Sequence, residues 1–134
     1  HLQVFNSNWS QSLNPEDLTK MKTFFGSDTQ ERPNNTAPFL AKFIINNDIS
    51  FGFEDETNTG NNYDLTYIRV KNSSVIVNVK GLSVKIGDHK SKFINFNLNS
   101  NNKYNFTDTD TGSISLFFKI DKDDKVSEIK YISY

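Results

Sequence analysis

The sequence predicts a mainly β protein: an antiparallel β-sandwich with one short helix near its N-terminus. Three observations carry this expectation. From residue 39 onward, apolar segments bounded by turn residues recur at roughly 8–12 residue spacing. Within them the apolar positions alternate with period two, the periodicity of a strand. Only one stretch of the chain has the period of a helix. A small up-and-down barrel is the alternative closure of the same strands.

The helix is expected over about residues 14–25, within "SLNPEDLTKMKTFFG". Asn14 suits an N-cap, Pro15 the first helical position, and Glu16 and Asp17 the positive end of the dipole. Leu18, Met21 and Phe25 form one apolar stripe, and Gly26 is a natural stop. Residues 27–38, "SDTQERPNNTAP", are polar and aperiodic and read as a loop.

Strands are expected from about residue 39. "FLAKFII" and "ISFGF" are joined across "NND" as a hairpin. "EDETNTGNNYD", residues 54–64, reads as the longest and most mobile loop. "LTYIRVK" and "SVIVNVK" follow. Val75, Val77 and Val79 share one face, as do Leu82, Val84 and Ile86, and the change of phase at Gly81 marks a bulge or bend. "KFINFNLN", residues 92–99, alternates Ile94, Phe96 and Leu98 inward with Asn95, Asn97 and Asn99 outward. Last, Ile114, Leu116, Phe118 and Ile120 share a face, "DKDDK" turns the chain, and Ile129 and Tyr131 return beside them. No linker or repeat divides the 134 residues, so residues 1–134 form one domain.

Composition narrows the function classes. Fifteen basic residues balance sixteen acidic ones, so no global field recruits nucleic acid or an anionic membrane. No apolar run approaches the ~18 residues of a membrane span. The absence of Cys excludes disulfides, zinc–thiolate sites and a catalytic thiol. The start at His1, without Met, reads as that of a processed or trimmed chain. Asparagine is abundant, at 18 residues, and four N-x-S/T sequons, at Asn8, Asn34, Asn72 and Asn105, are close to what such a composition gives by chance.

Two metal sites can be considered. "DTDTG", from Asp108, resembles the opening of a calcium loop, in which alternate carboxylates converge on a hard cation. The twelfth position is Lys119, which cannot ligate, so the segment reads better as a turn feeding a strand. An N-terminal His1 can chelate copper through its α-amine and imidazole, with Asp88 and His89 completing the set. That arrangement resembles small secreted copper carriers, whose later ligands are spaced Asp-x-His rather than Asp-His. No cofactor is therefore expected, with copper and calcium as the alternatives.

Catalytic constellations are weak. No Ser–His–Asp order is identifiable, and the pairs Glu54/Glu56 and Asp108/Asp110 sit in loops, as any solvated acidic turn would. A non-enzymatic role is expected. For binding, Trp9, Tyr63 and Tyr104 could stack on sugar rings, with neighbouring Asn side chains bonding hydroxyls. Against this, Trp and Tyr are amphipathic core-edge residues, and Trp9 reads better as packing the N-terminal segment on the sheet. The twelve Phe residues more readily fill a solid core than line a lipocalin-like ligand cup.

"LTYIRVKNSS" with the β-run after it, then "GSISLFFKIDKDDKVSEIKYI", resembles the telokin-like, immunoglobulin-like domains of Gram-positive surface lipoproteins, over residues 41–134. The resemblance implies an exported, non-catalytic domain. The expectation is a secreted or cell-surface binding module whose partner is a protein or glycan. A carbohydrate-binding module, a copper-binding protein and a lipocalin-like carrier are the alternatives.

Overall fold

The computed structural model describes residues 2–6, 8–25, 29–31, 39–79, 81–94, 103–107 and 114–133. Its strands are β1 (Leu2–Asn6), β2 (Thr29–Glu31), β3 (Leu40–Ile45), β4 (Ile49–Asp55), β5 (Asp64–Val70), β6 (Val75–Val79), β7 (Leu82–Val84), β8 (Lys103–Thr107), β9 (Ile114–Ile120) and β10 (Val126–Ser133). The helix α1 (Leu18–Phe25) lies between β1 and β2. The strands form two antiparallel sheets, a three-stranded one ordered β1-β6-β7 and a seven-stranded one ordered β2-β3-β4-β5-β10-β9-β8. The sheets pack as a sandwich and do not close into a barrel.

One core joins the layers. Val4, Val75, Val77 and Val84 from the small sheet meet Phe51, Ile68, Phe118 and Ile129 from the large one. The C-terminal hairpin has the expected register, with Phe118 opposite Ile129 and Leu116 opposite Tyr131. Its turn is closed by Asp121 Oδ1, which accepts the N–H groups of Asp123 at 2.9 Å and Lys125 at 3.1 Å. The phase change at Gly81 is a reversal: Val79 pairs with Leu82 and Val77 with Val84, so the valine faces of β6 and β7 coincide. Gly81 has φ +81°, a conformation in which a side chain would be strained.

The small sheet is narrower than the large one, and α1 helps cover the remainder. Phe25 lies 5.8 Å from Phe51, and Met21 is fully buried. Cross-strand partners share a face. Ile44 opposite Phe51, Lys42 opposite Phe53 and Leu40 opposite Asp55 therefore define the inner face of β3–β4.

At one end of the sandwich, polar side chains tie the layers together. Asn6, fully buried in β1, donates through Nδ2 to Asp48 Oδ2 at 3.4 Å. Asn72, just after β5, donates to Asp48 Oδ1 at 2.7 Å. This explains why the apolar alternation of β1 ends on an asparagine.

Four sequence expectations are corrected. Strands do not begin at about residue 39: Leu2–Asn6 is β1, whose Leu2 and Val4 are buried and whose residues pair with β6. The helix begins at Leu18, not near residue 14, because Asp17 is the better cap: its Oδ1 accepts the Lys20 N–H at 3.0 Å. Asn14 instead accepts the Glu16 N–H at 3.0 Å and makes a turn in the preceding segment. Within 27–38, Thr29–Glu31 is an edge strand on β3, too short to show a period. Residues Lys90–Phe93 form a 3-10 helix rather than the start of a strand. Phe93 packs 5.2 Å from Phe118, while Ile94, expected inward, is 82% exposed. Residues 95–100, the remainder of that expected strand, lie outside the described residues.

Candidate functional site

Beside the N-terminal end of α1, a surface cleft of about 610 Å³ opens between two segments. One wall comes from the turn and cap before the helix, with Asn14, Glu16 and Asp17, and from Leu18 and Thr19 of its first turn. The other comes from Gly60, Asn61 and Tyr63 in the β4–β5 loop. Lys42 of β3 also lines it, with Nζ 4.9 Å from the centre of the half-buried Tyr63 ring. At this distance a cation is held by the negative face of the ring.

The loop wall is organised around Asp55. Ile49, Phe51 and Phe53 are buried, and Asp55 continues their alternation at the end of β4, where it too is fully buried. A buried carboxylate needs several donors, and the loop supplies them. Asp55 Oδ1 accepts from Thr57, from its N–H at 2.8 Å and from its hydroxyl. Oδ2 accepts from the Gly60 N–H at 2.7 Å, the Thr59 hydroxyl at 3.3 Å and the Asn62 N–H at 3.4 Å. Burial alone would raise its pKa. The hydrogen bonds from the Thr57 side chain and from the Gly60, Thr57 and Asn62 amides outweigh burial and hold the carboxyl well below the usual carboxylate range.

The chain must curl tightly to place these donors. Asn58 at φ 56° and Gly60 at φ 81° both take the left-handed conformation that Asn tolerates and Gly prefers. Asn58 also accepts the Leu40 N–H at 2.8 Å, which ties the loop to β3. The segment expected to be the most mobile loop is thus a carboxylate-centred turn. Asp55 falls within the stretch 54–64 expected as a loop. Its phase with Phe51 and Phe53 was the signal that separates it from Glu54 and Glu56.

Of the aromatic residues singled out whose side chains are described, Tyr63 lines the cleft and Trp9 does not. Trp9 is half-buried and packs edge-on against Phe24 at 5.7 Å and Phe25 at 5.4 Å, so it fastens the N-terminal segment to α1. Tyr104 belongs to β8, opposite Phe118, and its side chain lies outside the described residues.

Of the metal candidates, Asp88 and His89 lie within the described residues. Asp88 Oδ2 accepts the Lys85 N–H at 3.0 Å and pairs with Lys92 Nζ at 2.8 Å. His89 Nδ1 accepts the Ser91 N–H at 3.1 Å, capping the 3-10 helix. Both side chains therefore have structural work. His1, and Asp108 and Asp110 of the calcium-like stretch, lie outside the described residues. Among the described residues, no three His, Cys, Asp or Glu side chains come together as a metal site. Among them also, no helix is long and apolar enough to cross a membrane.

Comparison with protein-family models, with curated proteins and with solved structures finds no match for this chain.

Proposed function

We propose that the chain is a non-catalytic binding module, secreted or held at a cell surface, and that the cleft between α1 and the β4–β5 loop takes a hydroxyl-rich ligand of the carbohydrate class. The observation that carries this reading is the lining of the cleft. One aromatic ring, Tyr63, stands among amide, carboxylate and ammonium groups of Asn14, Asn61, Glu16, Asp17 and Lys42. A sugar needs this mixture, an apolar surface for its C–H face and several donors and acceptors for its hydroxyls. An apolar ligand would find little to bury against. The resemblance of residues 41–134 to surface lipoprotein domains supports the extracellular setting.

The test is binding of the labelled chain to an array of immobilised oligosaccharides, with Asn61→Ala and Tyr63→Ala variants beside it. The expected result is retention on a subset of glycans that either substitution abolishes. Retention equal in wild type and both variants would move the site elsewhere. Absence of retention on every glycan would remove the carbohydrate reading.

A further inference from the structure

We propose that Asp55 is the positioning residue of the cleft, fixing the Gly60–Tyr63 wall without touching the ligand. The proposal rests on the cleft being the binding site, and it adds what determines the shape of one wall. Asp55 is 0% exposed, so nothing bound in the cleft can reach its carboxylate. Its two oxygens nevertheless collect the backbone N–H groups of Thr57, Gly60 and Asn62. Two of these groups flank Asn61, and Tyr63 follows directly.

The contacts around this carboxylate point the same way. Thr59 donates to Asp55 Oδ2 at 3.3 Å and accepts the Asn61 N–H at 3.3 Å, so one hydroxyl links the buried carboxylate to a residue that lines the cleft. Gly60 Cα has open space where a Cβ would stand, so packing against a neighbour does not hold the wall there. Hydrogen bonds to Asp55 do. A loop held in this way loosens locally when the acceptor is lost, while the sheet keeps its own hydrogen bonds.

The test uses the full chain and reads amide hydrogen exchange residue by residue in wild type, Asp55→Asn and Thr59→Val. Asp55→Asn replaces an acceptor oxygen with an NH₂ donor among three N–H groups. Thr59→Val changes an exposed side chain and keeps the fold assessable if the first variant proves unstable. The expected result is exchange at Gly60 and Asn62 faster by about tenfold or more in Asp55→Asn, and a smaller rise at Asn61 in Thr59→Val. Amides of Phe51, Ile68 and Phe118 report the global loss of stability and should accelerate no more than the loop amides. Loop amides that exchange as in wild type would overturn the proposal. So would amide shift changes in Asp55→Asn that spread over the core strands as much as over residues 57–63, since Asp55 would then hold no part of the wall in particular.

A titration with chitotriose, cellotriose and maltotriose separates this proposal from the one it rests on. If wild type binds one of them, Asp55→Asn should weaken binding about tenfold, and undiminished affinity would overturn the positioning role. If wild type binds none of them and no glycan of the array, while the loop amides respond as expected, the carbohydrate reading fails and the control of the wall by Asp55 stands.

Discussion

Asp55 and Gly60 are joined by a 2.7 Å hydrogen bond from the glycine N–H to a carboxylate that solvent does not reach. That bond connects the end of a core strand to the wall of the cleft. It also makes acid the natural probe of this end of the molecule.

The pKa of Asp55 is depressed in the folded state, so its contribution to stability is present above the unfolded value of about 3.9 and is lost as pH falls below it. Wild type should therefore lose stability between roughly pH 5 and pH 2 more steeply than Asp55→Asn, with the two converging toward acid. Denaturant melts across that range check it. Parallel pH profiles would show that the carboxylate is not the group that titrates.

Phe118 is fully buried and packs 5.2 Å from Phe93. Phe118→Ala should cost ~3–5 kcal/mol in denaturant melts. A loss under ~1 kcal/mol would contradict the register of the C-terminal hairpin.

The polar tie between the sheets makes a different prediction. Asp48→Ala leaves the buried Asn6 amide without its acceptor and should cost about 1–3 kcal/mol. Asp48→Ala combined with Asn6→Ala should cost less than the sum of the two single changes, because they share one interaction.

Trp9 separates packing from recognition. Trp9→Ala removes two edge-to-face contacts and should lower stability by roughly 2–3 kcal/mol. Glycan binding by the folded fraction should be unchanged. Lost binding in a fully folded Trp9→Ala chain would place Trp9 in the site.

The parts legible in the sequence are those where period and burial agree. Val75, Val77 and Val79 alternate strictly and lie on the core face, and Phe118 and Ile120 do the same in the C-terminal hairpin. The structure departs from the local pattern where a tertiary contact overrides it. Ile94 continues an alternation on paper, yet His89 caps a 3-10 turn that points Phe93 inward and leaves Ile94 outside. The helix start shifted because two acceptors, Asn14 and Asp17, both suit a cap, and spacing does not reveal which one closes the helix. The cleft was half legible. Tyr63 was singled out as an aromatic beside an Asn-rich loop, but Lys42, Asn14 and Asp17 reach it only through the packing of α1 on the sheet.

Ligand binding at the α1–loop cleft, as proposed, is open to direct observation. The most direct measurement is the backbone amide spectrum of the isotope-labelled chain during titration with the glycan it retains most strongly from an array. The expected result is shift changes concentrated at Leu18, Thr19, Asn61 and Tyr63, absent in Asn61→Ala. Changes concentrated instead on β8–β9 or around His89, with the cleft amides unmoved, would contradict it.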